Sequence, residues 1–293
     1  MRFGLPRIAY VNGRMAPLGS AGVSIEDRGF QFADGVYEVC AVLNGTLLDW
    51  RPHLQRLARS LGELEIRPPM TPAAFGLVAQ RVLRENRIRD GLLYVQVTRG
   101  AARRDHPFPA FTTPTLVMTA RPFDFRQRVR QQATGISVVT RPEIRWARRD
   151  IKSVALLPNV LAKQAAKRAG AFEAWFVAAD GRVSEGGSTN AWIVTGDGSI
   201  VTHPADNDIL AGVMRGTLIR LARERQLKVE ERVFTMAEAR HAAEAFITST
   251  TAPCLPVVAI DGRSVGEGRP GPVTTRLADM LWQEIARQTG WRP

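Results

Sequence analysis

Lysine is nearly missing from this chain. Forty of its 293 residues are lysine or arginine, yet only four are lysine: Lys152, Lys163, Lys167 and Lys228. Cysteine is scarcer still. Cys40 and Cys254 sit in apolar, strand-like runs, which excludes a disulfide framework and suits reduced core thiols. The four histidines, His53, His106, His203 and His241, are scattered without a ligand spacing, so no metal site is expected. No stretch reaches the roughly 18–20 apolar residues of a membrane helix. Residues 1–13 lack the apolar core and cleavage site of a signal peptide, so the expected location is the cytoplasm, with no membrane association. The formal charge of +12 invites a basic nucleic-acid-binding protein without cofactor. The arginines are spread instead of clustered, and no recognition helix or aromatic platform accompanies them, so nucleic acid is not the expected partner.

Apolar residues make up 45% and charged residues 23%, enough for a sizeable core. Two Asn-Gly pairs, Asn12-Gly13 and Asn44-Gly45, mark hairpins. A helix is expected from about Pro52, with Leu54, Leu57, Leu61 and Leu64 on one face, and a second from Thr71 to Asn86 with Thr71 as cap. Strands follow at 92–98 and 115–120, separated by a polar, proline-bearing loop over 99–109. Beyond it, strands are expected at 135–140, 173–179, 191–194, 199–202, 229–233, 245–250 and 255–260. Helices should follow Pro158 and Gly212, and another should close the chain after about Thr274. The class is α+β (mixed α/β). A small N-terminal α/β domain is expected over 1–121, a linker over 122–130, and a larger strand-rich α/β domain over 131–293.

Four segments carry candidate chemistry. In a chain that so strongly prefers arginine, a retained lysine is of interest where a deprotonatable amine is needed, because an amine can attack a carbonyl and a guanidinium cannot. Lys163 and Lys167 lie in the polar stripe of a helical run, and Lys228 opens a short strand. Lys152 lies in Asp150-Ile-Lys-Ser153, beside an apolar run. Glu185 stands in Ser184-Glu-Gly-Gly-Ser-Thr-Asn190, between two expected strands, where small residues would let a polar ligand approach. Gly212, Val213 and Met214 open an amphipathic helix, whose free amides favour phosphate. Thr248-Ser-Thr-Thr251 ends a strand in four hydroxyls. Taken singly, each reads equally well as a turn, a plain helix entry or a solvated strand end.

Together and in order, these segments resemble one family throughout the chain. They resemble the fold-type-IV pyridoxal-phosphate enzymes of aminotransferase class IV, and among these the D-amino-acid aminotransferases. The matching runs are Glu26-Asp-Arg-Gly-Phe-Gln-Phe-Ala-Asp-Gly-Val-Tyr-Glu-Val39, His53-Leu-Gln-Arg-Leu57, Asp150–Ser153, Ser184–Asn190, Thr202-His-Pro-Ala205 and Thr248–Thr251. The resemblance implies a two-domain fold-type-IV enzyme with pyridoxal 5'-phosphate held as an imine on Lys152, the catalytic amine. It implies that Glu185 faces the pyridine nitrogen and that Arg56 pairs with the phosphate, its side chain turned from the core. Val213 and Met214 would offer backbone amides, with Ser249 and Thr250, to complete the phosphate cup. Ser188 and Thr189 would line the ring's other edge. Tyr37, Arg104 and His106 would trap the substrate α-carboxylate, the last two across the interface of a homodimer with shared active sites. Met214 stands where relatives often carry a hydroxyl, and Pro158 could shift the entry of its helix. The implied reaction moves an amino group from a D-amino acid such as D-alanine to a 2-oxo acid, 2-oxoglutarate or pyruvate, in two half-reactions. A branched-chain L-amino-acid aminotransferase, an (R)-amine transaminase and an aminodeoxychorismate lyase remain alternatives within the fold. The carboxylate trap speaks against the amine enzyme.

Overall fold

The structure, a computed structural model, describes residues 7–292. These divide into two compact units: the stretch up to Asp124 together with Ile151–Ala155, and Phe125–Asp150 together with the stretch from Leu156 onward.

In the first unit, β1 (Ile8–Val11) and β2 (Arg14–Pro17) form a hairpin on Asn12 and Gly13, both at positive φ (45° and 93°). That conformation is the one a two-residue type I′ turn requires. After α1 (Arg28–Phe32), the strand β3 (Gly35–Leu43) turns through Asn44-Gly45 into β4 (Thr46–Leu47) in the same way. Then come α2 (Trp50–Glu63), α3 (Pro72–Glu85), β5 (Gly91–Thr98) and β6 (Thr115–Pro122). The strands make one antiparallel sheet in the order β2-β1-β6-β5-β3-β4. Leu57 and Leu61 of α2 and Phe75, Ala79 and Val82 of α3 share a core with Val36, Cys40, Val95 and Met118 of the sheet. The α2 start lies two residues before Pro52, after Asp49 in the left-handed region, and Thr71 Oγ1 caps α3 by accepting from the Ala74 amide.

The short segment Ile151–Ala155 joins β3 as an extra edge. The Tyr37 amide donates to the Lys152 carbonyl and the Val154 amide to the Gly35 carbonyl, both at 3.0 Å. Ile151 adds its side chain to the first unit's core. The sequence places Lys152 inside the stretch read as the second domain, but backbone pairing with β3 groups it with the first.

The second unit contains α4 (Arg126–Thr134), β7 (Ile136–Pro142), α5 (Leu157–Arg168), β8 (Glu173–Val177), β9 (Arg182–Gly186), β10 (Asn190–Val194), β11 (Ile200–Thr202), α6 (Val213–Glu224), β12 (Val229–Glu231), β13 (Phe234–Thr235), α7 (Met236–His241), β14 (Glu244–Ser249), β15 (Ala252–Ile260), β16 (Arg263–Ser264) and α8 (Pro272–Thr289). Its sheet runs β12-β11-β10-β14-β15-β7-β8-β9-β13, with β16 on β15. The β11–β12, β7–β15 and β7–β8 pairs are parallel and the others antiparallel. Trp175, Val183, Ile193, Phe234, Ile247 and Leu255 fill one face's core, and Trp192 stacks on Phe246 at 5.2 Å between centroids.

The short elements α1, α7, β13 and β16 were not expected, and two stretches differ from their assignment. Residues 126–130, read as linker, begin α4: Phe125 is buried against Trp291 and starts the helix. Residues 182–186, read as a turn region, are the strand β9, buried from Val183 onward. Both cysteines are buried and free, as expected. Among the described residues no helix is long and apolar enough to cross a membrane.

Candidate active site

Lys167 is exposed on α5, and Lys152 is separated from the other two lysines by what its amine meets. Lys163 Nζ lies 3.1 Å from Glu173, and Lys228 Nζ lies 2.9 Å from Glu230. Lys152 Nζ has no carboxylate partner among the described residues and stands 4.4 Å from the centroid of the Tyr37 ring. The backbone fixes it there: its amide donates to Ser60 Oγ of α2 at 3.3 Å, and its carbonyl is bonded to Tyr37. Tyr37 stacks on Tyr94, whose hydroxyl donates to Gln96 Oε1. Burial, with Tyr37 beside it, pushes the Tyr94 phenol up to about 12, so that it stays neutral.

Arg56 is turned inward, not away from the core. Its Nε and Nη2 donate to Glu38 of β3 at 2.7 and 2.8 Å, and His53 Nδ1 lies 2.7 Å from the same carboxylate. Burial works against the Glu38 anion, but the charge and hydrogen bonds of Arg56, then His53, bring its carboxyl down to about 2. The i,i+3 spacing of His53 and Arg56 puts both on the face of α2 that looks at β3.

Arg104 and His106 lie on the exposed loop, where Phe32 gathers them: the Arg104 guanidinium sits 5.0 Å and the His106 ring 5.5 Å from its centroid. Buried Arg28 holds the loop backbone, donating to the Asp105 and His106 carbonyls at 2.6 and 3.1 Å. Among the described residues no hydrogen bond or ring contact joins Arg104 or His106 to Tyr37 or Lys152.

In the second unit Glu185 is buried on β9. It accepts from Arg145 Nη1 at 2.6 Å, Asn190 Nδ2 at 2.9 Å and the Leu210 amide at 3.1 Å. Arg145 also donates twice to Glu143, at 3.0 and 2.7 Å. Burial opposes the charge on Glu143, yet Arg145 and Ser184 hold its carboxyl below the usual range; Arg145, opposed by burial, is raised by Glu185 and Glu143. Ser188 is exposed and donates to Glu173 at 2.7 Å, whereas Thr189 is buried and its hydroxyl has no partner. Gly212 caps α6 without a side-chain bond, leaving the amides of Val213 and Met214 at the helix entry. A Cβ on Gly212 would lie 2.0 Å from Asn190 Oδ1, so only glycine fits there. The Met214 side chain is buried. Ser249 ends β14, its hydroxyl accepting from the Ala252 amide, and Thr250 occupies the turn. Thr248 is taken up by Trp192 Nε1.

The sequence profile described as amino-transferase class IV matches residues 35–260. The chain belongs to this family. It is 41% identical over 278 residues to the D-alanine aminotransferase of Bacillus licheniformis, covering 95% of this chain and 97% of that one. It is 37% identical over 287 residues to the D-alanine aminotransferase of Listeria innocua serovar 6a, covering 96% of each. Among solved structures, it resembles the branched-chain amino acid aminotransferase from Escherichia coli (25% identity, TM-score 0.85, 97% and 95% coverage). It also resembles a T.th. branched-chain amino acid aminotransferase complexed with N-(5'-phosphopyridoxyl)-L-glutamate (25%, TM-score 0.85, 98% and 96%).

Within this class IV aminotransferase, sequence reasoning missed Arg145, Glu143, Asn190 and Glu38 as site components. Nothing in Glu143-Ile-Arg145-Trp-Ala-Arg-Arg149 separates Arg145 from the other two arginines, because its partner Glu185 is 40 residues away. Glu38 lies within a run that matches the family, one residue after Tyr37, and that adjacency was its only signal.

Proposed function

We propose that this class IV aminotransferase moves an amino group between a D-amino acid such as D-alanine and a 2-oxo acid, with pyridoxal 5'-phosphate as cofactor. The likeness to D-alanine aminotransferases over almost the whole chain carries the reading. The residues present fit the cofactor. Lys152 is a half-buried amine without a carboxylate partner, Thr189 keeps a buried hydroxyl unsatisfied, and α6 opens without a side-chain cap. Buried polar groups are ordinarily bonded, so the Thr189 hydroxyl marks a place for a polar ligand.

The bound cofactor supplies an electron sink for the charge left on the substrate α-carbon. Lys152 Nζ holds the cofactor covalently and then, as the free amine, carries the proton taken from the α-carbon. Tyr37 lies against that amine and orients it. Glu185 would face the ring nitrogen, with its rotamer locked by Arg145, Asn190 and the Leu210 amide. Arg56, the amides of Val213 and Met214, and Ser249 and Thr250 hold the phosphate, while Ser188 and Thr189 line the ring's other edge. Arg104 and His106, with Tyr37, bind the substrate carboxylate. Their exposure around Phe32, without a contact to Lys152, supports a homodimer in which each loop serves the partner's site. The proposed location is the cytoplasm.

The decisive assay offers D-alanine, L-leucine and 1-phenylethylamine, each with 2-oxoglutarate. Turnover of D-alanine is expected. L-leucine turnover without D-alanine turnover would favour the second reading, a branched-chain enzyme, for which the solved relatives speak. Borohydride treatment and peptide mapping should place the cofactor on Lys152. Light scattering should give twice the chain mass.

A further inference from the structure

Behind Glu185 stands a carboxylate that the proposed chemistry leaves unused. Glu143 takes two hydrogen bonds from Arg145, and the third nitrogen of that guanidinium goes to Glu185. The side chains of Glu143, Arg145 and Glu185 are only 5%, 7% and 6% exposed. Arg149 is the other cation near Glu143, 3.6 Å away, and it is itself paired with Asp208. Ser184 donates to Glu143 at 2.6 Å, and the Arg145 guanidinium lies 4.4 Å from the Phe176 ring centroid.

In this buried trio one arginine stands against two carboxylates, leaving one negative charge; Arg149 beside it is answered by Asp208, whose side chain is 44% exposed. Without Glu143 the count is one against one. Arg145 alone would neutralise Glu185 and weaken its hold on any further cation. A surplus buried anion is costly unless a cation completes it. We infer that Glu143 and Arg145 are positioning residues acting through Glu185, and that Glu143 offsets the charge of Arg145 so that Glu185 favours a protonated cofactor ring nitrogen. This rests on the reading that Glu185 faces that nitrogen. Arg145 fixes the direction of the Glu185 carboxylate, and Glu143 restores the charge that Arg145 would otherwise cancel. In a dry cluster such a one-charge change acts strongly at short range.

The test loads the full chain with ring-15N-labelled pyridoxal phosphate and reads the nitrogen shift against pH, without using turnover. The unaltered chain should show a protonated nitrogen. Glu143→Gln should lower its proton affinity by on the order of tenfold or more. Glu143→Asp, which keeps the charge, should stay near the unaltered chain. Arg145→Gln should move the affinity the opposite way, a reversal that a merely structural role would not produce. If Glu143→Gln does not fold, Arg145→Gln carries the test, and a lowered affinity there overturns the inference. So does an unchanged affinity in Glu143→Gln, or an equal loss in Glu143→Asp. The Glu185→Gln chain separates the two levels. If it loses the proton while Glu143→Gln keeps it, only the role of Glu143 fails. If the unaltered chain is unprotonated, or Glu185→Gln changes nothing, the Glu185 reading fails and the inference with it.

Discussion

Each unit buries an arginine against glutamate, but the two clusters carry different charge balances. In the first, Glu38 is matched by Arg56 and hydrogen-bonded to His53, so the group is neutral or positive. In the second, Arg145 lies between Glu143 and Glu185, and the trio is negative. The same residue types thus prepare two kinds of partner. The first cluster suits an anion such as a phosphate, and the second suits a cation such as a protonated ring nitrogen. The first cluster shares its unit with the amine of Lys152, and the second shares its unit with the uncapped entry of α6. Charge balance, more than residue identity, decides what each buried group is for.

The severest break removes the amine beside the first cluster. Lys152→Ala should lower turnover by at least about 10³-fold and abolish borohydride fixation, while the circular dichroism spectrum stays unchanged. Next comes Glu38→Gln, which strips the first cluster of its anion. Losing one partner of a buried pair costs on the order of 3–5 kcal/mol, readable by denaturant unfolding. The same carboxyl gives a pH signature. Its folded value of about 2 lies below the ordinary 4.5, so its contribution is full above pH 4.5 and is lost as pH falls towards 2. That contribution is roughly 3 kcal/mol, and the acid limb of the stability curve should flatten by that amount in Glu38→Gln. A smaller effect should follow Arg104→Ala, with KM for the amino acid rising about 10- to 100-fold through loss of a charge-assisted bond and little change in unfolding. The smallest concerns Thr189, one of two buried threonines of the second unit, with Thr274, whose hydroxyls have no partner among the described residues. Thr189→Val should leave the cofactor-free chain as stable as before, or up to about 1 kcal/mol more stable, yet weaken cofactor binding several-fold. Equal destabilisation with and without cofactor would show that the hydroxyl serves the fold instead.

Much of the fold was legible because its signals are local. Asn-Gly pairs at positions 12 and 44 place both first-unit hairpins, since few other residues tolerate the φ values there. Thr71 before Pro72 places α3 almost to the residue. The strand carrying Glu185 was not legible. Its string of Ser, Glu and Gly has low strand propensity and forms β9 through pairing with β8 and β13 and through burial, a tertiary effect. Arg56 misled for a related reason: helix periodicity shows which face a residue occupies but not that a buried glutamate on a strand will draw it inward.

Local pattern was enough to set the hairpins, the capped helices and a short set of chemically apt residues, with Lys152 and Glu185 foremost. Its runs also pointed to the family they resemble. Which carboxylates those residues meet was left to the folded chain. Folding joined Lys152 to β3, turned Arg56 onto Glu38 and set Arg145 between two glutamates. Hydrogen-bond geometry and burial act across chain separations of 18 residues for Arg56 and Glu38, 40 for Arg145 and Glu185, and 92 for Lys152 and Ser60, where neighbouring residues carry no information about the partner.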